Sequence, residues 1–124
     1  MKRLIILRHA KTEPADGPKR DIDRSLIERG RRDSMEMAHY FASRGHRCDV
    51  VLCSTAARTR ETLALFAPIA CREAQVEFRD DLYLAEAPEM AAIVGAVDAR
   101  HAAVMLVGHN PGLEELALGL CTAP

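Results

Sequence analysis

The side chains best suited to chemistry in this sequence lie in three short polar segments, each directly after an apolar run. The segments contain two arginines and two histidines: Arg8, His9, Arg58 and His109. Arginine offers forked, permanently charged donors that suit phosphoryl oxygens, and a neutral imidazole can attack phosphorus. Phosphoryl transfer needs fixed donors for charge on three equatorial oxygens and an in-line nucleophile. The residue types therefore predict chemistry on a phosphate group.

His9 is the predicted nucleophile of such a reaction. A histidine attacks only when its ring is neutral, and the cations Arg8 and Arg58 would disfavour the imidazolium form. The sequence has neither a GxxxxGK[ST] loop nor an obvious carboxylate cluster for Mg²⁺. We therefore predict a phosphatase that needs no metal and no cofactor, in which arginines and histidines surround the phosphate.

The elements that must position these side chains are strands and helices in alternation. Four apolar runs are predicted as strands: residues 3–7, 50–53, 76–78 and 102–107. Periodicity and capping residues predict helices: residues 26–44, 56–67, 88–97 and a last helix that Asn110 and Pro111 start. This order predicts an α/β fold, a three-layer α/β/α sandwich with a largely parallel central sheet. Because ligands bind outside the carboxyl ends of parallel strands, the three polar segments should meet at one edge.

Finer predictions accompany this outline. The first strand is expected to be central, and residues 76–78 to form an edge strand. Ser54 or Thr55 is expected to cap the second helix, and Pro68 to end it. The apolar face of the first helix is predicted from four residues, and Gly45 suits the left-handed position after that helix. The four residues are Met35, Ala38, Phe41 and Ala42.

Composition and charge limit the classes of partner. The 124 residues, 48% hydrophobic and 28% charged, fit one soluble globular domain over residues 1–124. The net charge of −1 and the aromatic content of 4% argue against binding to nucleic acid or an anionic membrane. Residues 1–60 carry 14 basic and 8 acidic side chains, whereas residues 61–124 carry 3 and 10. The first half therefore supplies the cations for an anionic ligand.

Targeting and redox signals favour the cytoplasm. Met1-Lys2-Arg3 resembles the start of a signal peptide, but the apolar run over residues 4–7 is too short for one, or for a membrane span. The four cysteines lack CxxC spacing, and three of them lie in apolar stretches. This pattern is typical of reduced, buried thiols and does not match a zinc site. We therefore expect a cytoplasmic protein.

The polar segments resemble those of the histidine phosphatase (phosphoglycerate mutase-like) superfamily, and most of all its small SixA-type phosphohistidine phosphatases. The matching segments occur in family order along nearly the whole chain: Leu7-Arg8-His9-Ala10-Lys11, Asp23-Arg24-Ser25-Leu26 with Glu28-Arg29-Gly30, Ser54 to Thr62, and Val107-Gly108-His109-Asn110-Pro111. The resemblance implies that His9 becomes transiently phosphorylated. It also implies that four residues bind the phosphoryl group: Arg8, Arg24, Arg58 and His109.

The general acid departs from the family pattern. In the mutase-like branches a glutamate protonates the leaving oxygen, whereas this sequence has Leu84 near the corresponding position. Asp81 and Glu86 are the nearby candidates for the general acid, and His109 is a third. A P–N bond breaks more readily than an alkyl phosphate ester, so a missing strong acid favours protein phosphohistidine as the substrate. A broad phosphomonoesterase for small phosphate esters and a non-catalytic phosphate-binding module are the alternatives.

The end of the sequence also differs from the small type, whose members usually continue for some tens of residues with another strand. We therefore expect a truncation at the C-terminus. If the sequence is complete, the sheet has an open edge that favours pairing with another chain. The expected oligomeric state is a monomer or a weak dimer.

Overall fold

The computed structural model describes residues 3–122, which contain four strands, four α-helices and two short 3-10 helices. The strands are β1 (Arg3–Arg8), β2 (Val50–Ser54), β3 (Gln75–Arg79) and β4 (Ala103–Gly108). The helices are α1 (Glu28–Ser43), α2 (Ala57–Ala70), α3 (Ala87–Gly95) and α4 (Gly112–Thr122). Four terminal residues lie outside the described residues: Met1, Lys2, Ala123 and Pro124. The predictions that depend on them, the comparison of residues 1–3 with a signal-peptide start and the truncation at the C-terminus, lie outside as well. Within residues 3–122 the helices are too short or too polar to cross a bilayer.

The sheet is entirely parallel in the part described, with the strand order β1-β4-β2-β3. The predicted parallel sheet is therefore confirmed, and so is the edge position of β3. The prediction that the first strand is central was wrong, because β1 lies at the other edge and pairs with β4. An unbroken apolar run shows that both faces of a strand are covered, and it carries no information on whether both edges are paired.

Helices cover both faces of the sheet and complete the predicted three-layer sandwich. On one face, Ala38 of α1 and Phe66 of α2 pack with Val51 and Met105 of the inner strands. On the other face, the core contains side chains from α3, α4 and the same two strands: Met90, Leu113, Leu116, Leu52 and Leu106. Burial of this apolar surface is the main force that fixes the strand ends in place.

The buried face of α1 is built mainly from small residues, which corrects the predicted apolar face in part, since Ala38 and Phe41 do pack in the core. Met35 is 43% exposed, and Ala42 is also exposed. The buried stripe is Gly30, Ser34 and Ala38, spaced four residues apart. The Ser34 hydroxyl donates to the Gly30 carbonyl at 2.8 Å, so a buried polar side chain is satisfied within α1. A search for large apolar side chains misses such a stripe.

The predicted ends of α2 and α4 were wrong in detail. Helix α2 continues past Pro68 to Ala70, since a proline in the last turn removes one helical hydrogen bond and leaves the others. Its N-cap is Ala56, without a side-chain cap, rather than Ser54 or Thr55. Helix α4 begins at Gly112, although the Asn110 side chain still accepts the Glu114 backbone N–H at 3.2 Å. Gly45 has a φ of 74°, as predicted.

The four cysteines are free thiols, and Cys48, Cys53 and Cys71 are buried while Cys121 is exposed. The Sγ atoms of Cys48 and Cys71 lie 2.9 Å apart beside a cavity of about 730 Å³ at the amino ends of the strands. This cavity is at the amino ends of the strands, whereas the predicted catalytic residues follow their carboxyl ends.

Gly30 provides a test of the packing that holds the segment after His9. A Cβ atom at this position would lie 2.2 Å from the Lys11 carbonyl oxygen, which is backbone and cannot move alone. We expect Gly30→Ala to lower the free energy of unfolding by about 1–3 kcal/mol, the usual cost of overpacking. The matched control is Gly119→Ala in α4, where the added methyl group meets nothing within 4 Å. Equal stability of the two variants in urea unfolding would contradict the packing described.

Candidate active site

The carboxyl ends of β1, β2 and β4 bring the predicted catalytic residues together. Arg8 pairs with Gly108 in adjacent parallel strands, so the residues that follow, His9 and His109, leave the sheet side by side. Their ring centroids lie 5.5 Å apart. Arg58 enters from the first turn of α2, which follows β2.

The His9 ring is fixed in one orientation by the backbone of the next residue, Ala10. Its Nδ1 lies 2.8 Å from the Ala10 carbonyl oxygen, which can only accept, so Nδ1 carries the proton and Nε2 keeps a lone pair. The Ala10 N–H donates to the Thr62 hydroxyl at 3.1 Å, and that hydroxyl donates to the Arg58 carbonyl at 2.7 Å. The segment after β1 is thereby attached to helix α2.

Arg58 is a buried cation, with an exposure of 2%. Its Nη1 donates to the Asp21 carbonyl at 2.7 Å and its Nη2 to the Asp21 carboxylate at 3.0 Å. Its Nε has no partner among the described residues. The Arg58 guanidinium thus lies at the N-terminus of α2, where backbone N–H groups also favour an anion.

Arg24 reaches the same place from the loop before α1, as predicted. Its Nη1 donates to the Thr12 hydroxyl at 2.9 Å and to the Glu13 carbonyl at 2.8 Å. The loop is held by two further bonds, from the Ser25 N–H to the Glu13 carboxylate and from the Leu26 N–H to the Glu61 carboxylate. The segment that contains Arg24 is therefore fixed both to the residues after His9 and to α2.

Asp21, which the sequence analysis did not single out, links the arginines. Its carboxylate accepts bonds from the Tyr83 hydroxyl and from the guanidinium groups of Arg24 and Arg58. These hydrogen bonds hold the pKa of Asp21 well below its usual range, and the bond from Tyr83 has the largest effect. The spacing of three residues between Asp21 and Arg24 was the one sequence signal for this contact. Tyr83 gave no such signal, and its ring meets the His109 ring edge-on at 5.5 Å.

His109 is almost fully buried, with 3% of its surface exposed. Its Nε2 lies 2.7 Å from the Ser54 hydroxyl, and its Nδ1 has no partner among the described residues. Burial lowers the pKa of His109 to about 4, and the charge of Arg58 adds to this effect. Burial also lowers the pKa of His9, assisted by Arg58, Arg8 and Arg24. Both rings are therefore held neutral.

The remaining predicted residues lie further from this set. Arg8 is exposed at the end of β1, and its charge acts on His9 without a hydrogen bond or ion pair to any described residue. Asp81 is directed outwards, because its carboxylate is held by Arg79 at 2.8 Å, which lowers its pKa. Glu86 lines a cavity of about 250 Å³ together with His109. Within residues 3–122, no group of three or more His, Cys, Asp or Glu side chains is placed to hold a metal ion.

The lowered pKa values can be checked by NMR titration. We expect the His9 ring to titrate below its ordinary value of 6.5 and the His109 ring near pH 4. Since the unfolded chain takes up these protons at higher pH than the folded one, stability should be complete above pH 6.5 and fall as the pH drops towards 4. His109→Gln should remove part of that slope, which is at most about 1.4 kcal/mol per pH unit for one group. Titration of either ring at or above pH 6.5 would contradict the burial described.

Comparisons with known proteins identify the family of this chain. A family model described as the histidine phosphatase superfamily (branch 1) matches residues 4–86. A candidate phosphohistidine phosphatase SixA from Nakamurella multipartitia has a TM-score of 0.84 at 39% identity, over 96% of this chain and 65% of that one. A candidate SixA from Agrobacterium tumefaciens has a TM-score of 0.87 at 34% identity, over 96% and 75%.

A curated relative extends the similarity to a eukaryote. An uncharacterized chloroplast protein of Arabidopsis thaliana is 35% identical over 131 residues. The match covers 94% of this chain and 57% of the relative, so the chain spans less than two thirds of that protein's length. The chain belongs to the histidine phosphatase superfamily, branch 1, and resembles its SixA type in both sequence and structure.

Proposed function

We propose that this chain is a phosphatase that forms a phosphohistidine on His9 and needs no metal ion. The observation that carries the proposal is a pair of buried nitrogen atoms beside His9. Arg58 Nε and His109 Nδ1 both lack a partner among the described residues. A buried polar atom without a partner costs about 1–3 kcal/mol, and the oxygens of a bound phosphoryl group would satisfy both atoms. These two unsatisfied hydrogen-bonding atoms thus fit an anion with several acceptor oxygens.

The proposed reaction has two steps that both pass through His9. In the first, Nε2 of His9 forms a bond to phosphorus as the bond to the leaving group breaks, and the leaving group takes up a proton from solvent water. In the second, water attacks the phosphohistidine, the P–N bond breaks, and inorganic phosphate leaves while His9 returns to its neutral form. Arg58 and Arg24 stabilise the charge on the equatorial oxygens in both steps, and Arg8 adds a third positive charge.

Phosphorylated protein, and phosphohistidine in particular, is the substrate we propose. The imidazole of a phosphohistidine is a better leaving group than an alkoxide, so its release needs less help from a general acid. This suits a site in which Asp81 is held away by Arg79 and Glu86 is an exposed residue at the rim. The similarity to candidate SixA phosphohistidine phosphatases supports the same substrate class.

A phosphatase for small phosphate esters is the second candidate. The cavity of about 250 Å³ beside His109 would accept a small leaving group, and Glu86, a candidate for the general acid, is among the residues that line it. A non-catalytic phosphate-binding module has less support, since binding alone does not require a histidine with a free Nε2 beside the donors. One domain over residues 1–124, a cytoplasmic location and a monomeric or weakly dimeric state stay predictions.

The function is tested by assaying the protein on a phosphohistidine protein and on an aryl phosphate, with a metal chelator present throughout. We expect hydrolysis with chelator, faster turnover of the phosphohistidine protein, and an acid-labile, base-stable phosphoenzyme after rapid quenching. Loss of activity on chelation would refute metal independence. Preference for the aryl phosphate would favour the second candidate, and phosphate binding without turnover would favour a binding module.

A further inference from the structure

Ser54, the last residue of β2, forms a buried pair with His109. The side chain of Ser54 is fully buried, and its Oγ lies 2.7 Å from His109 Nε2. The position of Ser54 is fixed from its backbone as well, because the Thr59 hydroxyl donates to the Ser54 carbonyl at 2.8 Å. Neither partner can turn away without leaving a buried polar atom unsatisfied.

The direction of this hydrogen bond follows from the number of protons. The Ala56 N–H donates to Ser54 Oγ at 3.4 Å, so that oxygen already acts as an acceptor. The single hydroxyl proton of Ser54 then needs an acceptor of its own, and among the described residues His109 Nε2 is the one within reach. If Nε2 carried the proton instead, the buried hydroxyl proton would have no acceptor. Ser54 therefore donates, and Nε2 accepts.

From this arrangement we infer that Ser54 is a positioning residue that holds His109 as the tautomer with its proton on Nδ1. The inference rests on the proposed function and assigns His109 one role within it. Nδ1 is the nitrogen without a partner among the described residues. A proton there makes Nδ1 a neutral hydrogen-bond donor for a phosphoryl oxygen, whereas the other tautomer would place a lone pair against that oxygen.

This assignment separates His109 from the general acid. A neutral imidazole that gives up its remaining proton becomes an anion, which the buried site would have to stabilise for each turnover. His109 in this tautomer instead holds the phosphoryl group throughout both steps, and solvent water supplies the proton for the leaving group. Of the candidates considered for that proton, His109 is thereby removed.

The tautomer can be measured on the wild-type protein without reference to activity. Long-range proton–nitrogen correlation spectra at neutral pH distinguish a ring nitrogen that carries a proton from one that does not. We expect the His109 ring to show a protonated Nδ1 and an unprotonated Nε2. A protonated Nε2, or a mixture of the two tautomers, would overturn the inference even if the protein proves to be a phosphatase. An inactive protein with a protonated Nδ1 would overturn the function and leave the tautomer standing.

Variants test the consequence for turnover. We expect Ser54→Ala to show mixed tautomers and a fall in kcat of about 10-fold, as for loss of one hydrogen bond. Ser34→Ala is the matched control, because Ser34 is likewise a buried serine but its hydroxyl donates to the Gly30 carbonyl, away from His109. This variant should keep wild-type kcat. In a His109→Gln background, where no ring tautomer exists, Ser54→Ala should have no further effect. An undiminished effect in that background would show that Ser54 acts through stability and not through His109.

Discussion

His9→Ala is expected to lower kcat by at least about 1,000-fold and to eliminate the phosphoenzyme. The reason is that, among the described residues, Nε2 of His9 is the ring nitrogen that keeps a free lone pair beside the proposed phosphate donors. Arg58 and His109 would still bind a phosphoryl group in the variant, so the KM should change much less than kcat. Rapid-quench labelling with a radioactive substrate measures the phosphoenzyme directly.

The control for this variant is His39→Ala, which removes an exposed histidine on α1, away from the strand ends. It should keep both turnover and labelling. Should His9→Ala retain the turnover of the wild type, or a phosphoenzyme of normal stoichiometry, another residue is the nucleophile. Loss of turnover with an intact phosphoenzyme would place the role of His9 in the second step.

Arg58→Ala should lower kcat/KM by about 100- to 1,000-fold, the usual effect of removing one fixed donor from a transition state. It should also move the acid limb of the pH profile. The charge of Arg58 lowers the pKa of both His9 and His109, so its removal raises both values. More of His9 is then protonated at a given pH, and the acid limb shifts to higher pH.

Arg58→Lys separates the two effects of this arginine. A lysine keeps the positive charge and loses the forked bonds to Asp21, so turnover should fall while the acid limb stays near its wild-type position. Arg60→Ala is the control, since Arg60 lies over the Phe78 ring on the exposed side of the same helix. An unshifted acid limb in Arg58→Ala would mean that burial alone sets the pKa of His9.

The sequence was sufficient to predict which polar residues lie at the carboxyl ends of the strands. An apolar run that ends in a histidine or arginine is a local pattern, and parallel order then places His9, Arg58 and His109 at one edge. The same local pattern could not place β1 at the edge of the sheet, because pairing depends on which strands are neighbours. The stripe of small residues on α1 was missed for a related reason, since Gly30 and Ser34 are buried by their fit to neighbours and not by their hydrophobicity.

The polar network behind the predicted catalytic residues could not be predicted from spacing. Asp21 and Tyr83 are 62 residues apart, and their contact exists only because the loop before α1 and the segment after β3 fold towards the same strand ends. Ser54 was noted as a cap, whereas its hydroxyl faces His109, 55 residues away. Asp81 shows the converse, since its closeness in sequence to Tyr83 does not bring its carboxylate into the site.

The pairing of β1 with β4 affects how the protein is made. Partners such as Arg8 and Gly108 are 100 positions apart, so a long loop must close before their contacts stabilise anything. On the ribosome, β2, α2 and β3 can associate early, but His9 meets His109 only after β4 and the following turn have emerged. A growing polypeptide therefore carries His9 without His109, and its site is incomplete. The polar site is complete only when β4 takes its place between β1 and β2.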